Sequence, residues 1–167
     1  MNNTLRLSAH TLFTLHLSLA VLGAYLDYKD QHTSHYIWLT GMVLFSAIAI
    51  VPHYLQTPQP RRWSSVLSGP VWHWLGALLA VTIIYAYQNS GRLYHEEGDL
   101  VVLILLALTT YQQALSAKDW RGLFTGAFLA LIAVCVAYFD SYIWQLTALA
   151  LAAIGLSFAL RDTNPTS

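Results

Sequence analysis

Six apolar stretches follow one another through this 167-residue chain, separated by short polar connections. They run from Leu7 to Tyr25, Tyr36 to Leu55, Val71 to Tyr87, Leu100 to Leu115, Leu123 to Phe139 and Ile143 to Leu160. A helix crosses the hydrocarbon layer with about 20 mostly apolar residues at a rise of about 1.5 Å each. Inside lipid the backbone has to satisfy its own polar groups, so runs of this length are read as helices. Hydrophobic residues make up 56% of the chain and charged residues only 10%, where a water-soluble domain carries roughly 25% charge. The expectation is an all-α integral membrane protein: one six-helix transmembrane domain over residues 1–160, built as three sequential helical hairpins, followed by a polar tail over 161–167. The first run has only Arg6 before it and lacks a clear small-residue cleavage site, so it is read as a spanning helix rather than a cleaved leader.

The connections carry the orientation. With six spans, Arg6, Arg61, Arg62, Lys118, Arg121 and Arg161 fall on one side, and only Lys29 and Arg92 on the other. The Lys/Arg bias of short loops assigns the first side, with both termini, to the cytoplasm of a plasma (inner) membrane. Asp27, Asp30, Glu96, Glu97, Asp99 and Asp140 collect on the opposite side, giving an acidic outer face. Tyr and Trp cluster at both ends of the runs, as amphipathic rings do at the headgroup level.

Helices one, three and five end in related hexamers, AVLGAY over Ala20 to Tyr25, AVTIIY over Ala80 to Tyr85 and AVCVAY over Ala133 to Tyr138, which reads as a parallel internal repeat of hairpins. Gly122 and Gly126 form a GxxxG, either a contact within the bundle or a face for another chain.

Several chemistries are excluded by what the chain lacks. The single cysteine, Cys135, precludes a disulfide framework and a thiolate zinc cage. Eight basic residues balance eight acidic ones, so no basic field for nucleic acid exists. No charge is expected deep in a span, and neither HExxH nor Gly-x-Ser-x-Gly is present, which leans against an enzyme.

Three sets of polar residues remain. His32, His35, His95, Glu96, Glu97 and Asp99 gather imidazoles and carboxylates in the outer loops, the donor types of a divalent transition-metal site or of an electrostatic mouth for cations. His53 and His73, with His16 as an alternative partner, fall near the inner ends of their helices in the manner of b-type haem ligands. His16, Thr109, Thr110, Gln112 and Gln113 are the polar residues inside spans, candidates for a polar path through the bundle. The leading functional expectation is a channel or permeation protein for a small polar solute or cation with an acidic outer mouth. The alternatives are a non-catalytic accessory or assembly subunit of a larger membrane complex, or a homo-oligomer of that kind, and a haem- or metal-binding membrane redox protein.

Overall fold

A computed structural model describes residues 9–29, 34–56, 69–138 and 143–162, all but a few of them helical. The elements are α1 (Ala9–Lys29), α2 (Ser34–Gln56), α3 (Gly69–Asn89), α4 (His95–Ala117), α5 (Trp120–Tyr138) and α6 (Ile143–Asp162). Three of them, α3, α4 and α5, hold segments long and apolar enough to cross a membrane: Val71–Asn89, Glu97–Ala117 and Trp120–Tyr138. Helices α2 and α6 hold shorter apolar segments, Tyr36–Val51 and Ile143–Ser157. The loop of Pro58, Pro60, Arg61 and Arg62 and residues 163–167 lie outside the described residues, while Arg161 and Asp162 of the expected tail continue α6.

The surface carries the membrane signature as plainly as the hydropathy does. Leu79, Leu115, Leu151, Leu156 and Ile104 are exposed, while Thr109, Thr110, Thr125 and Ser157 are buried. Water does not tolerate so much exposed apolar area on a lone chain, and lipid does. The hydroxyls follow the same logic: Thr82, Thr109, Thr110, Thr125 and Thr147 each donate to the carbonyl one turn earlier in their own helix, at 2.7–2.9 Å. That bond satisfies a donor where no water is available.

Each helix presents one stripe to the core: Phe13, Leu17, Ala20 and Ala24 from α1, Trp38, Met42 and Phe45 from α2, Leu103, Leu106 and Ala107 from α4, and Phe128, Leu129 and Ile132 from α5. These steps of three and four residues line up on one helical face. Helix α1 packs against α2, α5 and α6, and α4 packs against α2, α3 and α5. Sequence neighbours α1 and α2 touch, as do α3 and α4, but the most extensive contact joins α4 to α5, and α6 rests on α1.

The α4–α5 pair is intimate because its connection is two residues long and its facing side chains are small. Helix α4 ends with the Lys118 N–H on the Leu115 carbonyl and the Asp119 N–H on the Ala114 carbonyl, with Lys118 in the left-handed region at φ 54°. Helix α3 closes the same way at Gly91, φ 70°, where the conformation costs nothing. Asp119 then caps α5, its Oδ1 accepting from the Arg121 N–H at 3.1 Å. Gly122 faces Ala114 and Gly126 faces the Tyr111 backbone, so the GxxxG serves the contact of α5 with α4 inside the bundle. The three hexamers take different environments: Val21 is half-buried, Val81 buried and Val134 exposed.

Candidate functional site

Polar residues from four helices meet at the end of the bundle that carries the α4–α5 connection. A cavity of about 190 Å³ is walled by Leu12, Phe13 and His16 of α1, Ile48 and Ala49 of α2, Trp74 of α3, Thr110, Gln113, Ala114 and Ala117 of α4, and Gly122 and Thr125 of α5, with Asp119 and Arg121 beside the connection. Helix α4 supplies its share because Thr110, Gln113, Ala114 and Ala117 recur at the three- and four-residue steps of one face.

Two hydrogen bonds set the chemistry of this cavity. The Trp74 indole N–H donates to Oε1 of Gln113, tying α3 to α4. Trp74 is only 1% exposed, so this partner relieves a donor that burial would otherwise leave unsatisfied. The indole can only donate, which fixes the amide: Oε1 faces Trp74 and the Nε2 amino group is left to offer its hydrogens elsewhere. The second bond joins His16 Nδ1 to the Leu12 carbonyl at 2.8 Å. A carbonyl can only accept, so Nδ1 carries the proton and Nε2 of the neutral ring is an acceptor. Thr110 and Thr125 donate their hydroxyl hydrogens to the carbonyls of Leu106 and Arg121. Their oxygens therefore offer lone pairs.

Charge at the cavity is dipolar. Asp119 is exposed, holds the N-terminus of α5 and lies within electrostatic reach of His16. The Arg121 guanidinium lies 5.1 Å from the centre of the Trp120 ring. Beyond His16 the bundle is shut: His16 meets Phe45 edge-on at 4.9 Å between ring centres, and Leu17, Met42, Phe45, Leu103, Leu106, Leu129 and Ile132 are fully buried around the axis.

Of the residues expected to form a polar path, His16, Thr110 and Gln113 line this cavity. Thr109 is buried against its own helix and Gln112 is exposed, each one position off the lining face. Of the haem candidates, His16 lines the cavity and His73 is half-buried outside its lining, one position before Trp74. The side chain of His53 lies outside the described residues. So do His32 and the side chains of His35, His95 and Glu96, whereas Glu97 is exposed and Asp99 is buried. Among the described residues no group of three or more His, Cys, Asp or Glu is placed to hold a metal.

At the acidic end, two carboxylates sit differently from a wet mouth. Asp27 and Asp99 are buried in the last turn of α1 and the first turn of α4, both engaged by partners, as a carboxylate removed from water requires. Asp99 acts electrostatically on Tyr85, and Gln88 is buried over Gly98.

Trp74, Asp119, Arg121 and Thr125 line the same cavity, although neither composition nor motif singles them out in the sequence. For Trp74 a signal existed: Trp74, Ala77 and Val81 share one face by their spacing, and all three are buried. A second hollow of about 590 Å³ runs along the outside of α4 and α5 past Ile104, Leu108, Gly126, Ala130 and Val134. Its walls are apolar and offer dispersion contacts alone.

No family model, curated protein or solved structure matches the chain. Its function rests on its own geometry.

Proposed function

We propose that this chain is a permeation protein for a small polar solute, with the cavity at His16, Thr110, Gln113 and Thr125 as its solute site. The observation that carries this reading is the convergence of polar groups from α1, α3, α4 and α5 on one cavity. Polar groups inside a membrane are expensive and are kept where they are used. The apolar layer of Leu17, Phe45, Leu106 and Ile132 is the gate between this cavity and the acidic end, since a hydrophobic constriction excludes water and solute until its side chains part. Transfer then follows from a solute held at one end and a layer that opens behind it.

The proposal includes the finer topology: all six helices span the plasma (inner) membrane as three hairpins, with both termini cytoplasmic and the cavity facing the cytoplasm. Single cysteines introduced as Arg62→Cys and Glu97→Cys, with Cys135 changed to Ser, report it. An impermeant maleimide added to whole cells is expected to label position 97 directly and position 62 only after permeabilisation. Labelling of both from the same side refutes the six-span arrangement.

Function is tested by swelling and tracer uptake in proteoliposomes. Small uncharged and charged solutes are offered in turn. At least one is expected to cross faster than through protein-free vesicles, and Gln113→Leu is expected to cut that flux about tenfold, the worth of one lost hydrogen bond of about 1.4 kcal/mol. Flux indifferent to Gln113, or absent for every solute, removes this reading.

A further inference from the structure

Resting on that reading, we infer that the cavity selects a neutral solute of the primary amide or urea class, one carbonyl acceptor flanked by N–H donors. The inference comes from counting what each wall offers after its internal bonds are made. Gln113 has its oxygen occupied by Trp74 and presents only the Nε2 hydrogens. His16 has its proton on Nδ1, committed to Leu12, and presents Nε2 as an acceptor. Thr110 and Thr125 have donated their hydrogens to their own helices and present lone pairs. Among its neutral side chains the cavity therefore sets one amide donor group against three acceptors, the complement of a C=O bearing several N–H bonds, with the opposite charges of Asp119 and Arg121 beside them.

Charge excludes the neighbouring classes. The Asp119 carboxylate occupies the α5 N-terminus, the place where an anion would otherwise gain from the helix dipole. An ammonium would gain from Asp119 but lose to the Arg121 guanidinium in the same lining, and, having no acceptor, it would leave the Gln113 amino hydrogens unpaired. A single hydroxyl satisfies one acceptor at a time, and glycerol, which carries three, is larger than urea and not planar. A planar amide can meet an acceptor and a donor together, and a site built on buried polar groups discriminates strongly against solutes that leave them unpaired. A cavity of about 190 Å³ limits the solute to a few heavy atoms.

The test compares urea and acetamide with glycerol, methylammonium and formate in proteoliposomes, with the pH stepped from about 6 to about 9 so that a glutamate at position 113 is carried into its ionised form. Wild-type vesicles are expected to pass urea and acetamide, with little flux of the other three. Gln113→Glu keeps an oxygen for the Trp74 N–H and replaces the amino donor by a second acceptor. It is expected to lower urea flux about tenfold and to raise methylammonium flux by a similar factor. Thr125→Val keeps the shape, removes one acceptor, and is expected to lower urea flux about threefold with no gain for methylammonium. Melting temperatures of both variants identify any loss that comes from unfolding, and Thr125→Val carries the test if the glutamate destabilises the bundle. Wild-type flux of methylammonium, glycerol or formate in place of urea and acetamide, still sensitive to Gln113, overturns the amide class and leaves the permeation reading standing. Urea flux unchanged in both variants overturns the placement of the site, and no flux of any of the five overturns both.

Discussion

Replacing Gly126 by valine is expected to destabilise the protein by about 3 kcal/mol, at the upper end of the usual cost of overpacking a close contact. A Cβ at this position would lie 2.6 Å from the Tyr111 backbone nitrogen and 2.7 Å from its Cα. Neither atom belongs to a side chain that can rotate away, so α4 and α5 have to move apart along their most extensive contact. Gly155→Val is the matched comparison: it sits on α6 with nothing within 4 Å of its would-be Cβ. The two variants unfolded in mixed detergent micelles should differ by nearly the whole effect. Equal stability would mean that α4 and α5 are not in this register. Gly122, one turn before Gly126 on α5, lines the proposed solute cavity, so loss of the register is expected to abolish flux as well.

Trp74→Ala is expected to cost about 3–5 kcal/mol, as for other large aromatic side chains removed from a packed interior. Trp74 is buried, bonds across from α3 to Gln113 of α4, and lines the cavity together with His16 and Thr125. Its removal leaves a void that merges with the cavity and frees Gln113 Oε1. Trp74→Phe separates the two contributions, keeping most of the packing and losing the indole donor, at an expected cost of about 1 kcal/mol. In the solute assay the phenylalanine variant is expected to relax selectivity, because an untethered Gln113 amide can turn either its oxygen or its amino group to the solute. Chemical unfolding followed by tryptophan emission, with solute flux on the same preparations, measures both. A phenylalanine variant as unstable as the alanine one would show that the hydrogen bond outweighs the packing.

How much of this was legible beforehand depends on the kind of signal. The number and order of the helices were readable, since Asn89 to Gly91 and Lys118 to Asp119 interrupt apolar runs with residues that end helices. Their ends were not: α4 starts at His95, taking in Glu96, Glu97 and Asp99 that the sequence presents as loop, and α1 runs on past Tyr25 to Lys29. The polar residues inside spans were also visible, and His16, Thr110 and Gln113 do meet. Gln112 and Thr109 were indistinguishable from them by composition, and only the phase of α4 against its neighbours separates them: Thr110 and Gln113 turn inward while Gln112 faces out. Trp74 had the look of an interface anchor because a tryptophan near the end of a span usually is one. Its burial depends on Gln113, which lies 39 residues further along the chain.

What the amino-acid order alone determined is the solvent and the class of element. Six apolar runs with so little charge have no packing in water, and in lipid an unbroken run of this kind can satisfy its backbone only as a helix. The partners of those helices, and therefore the cavity, were decided by tertiary structure. Hydropathy is nearly uniform around each helix, so it does not say which face turns inward. That choice is made by shape, by Gly126 admitting the Tyr111 backbone, by the two-residue link from α4 to α5, and by the Trp74 donor finding Gln113. Close packing and hydrogen bonding between residues distant in sequence are properties of pairs, and single positions along a chain do not carry them.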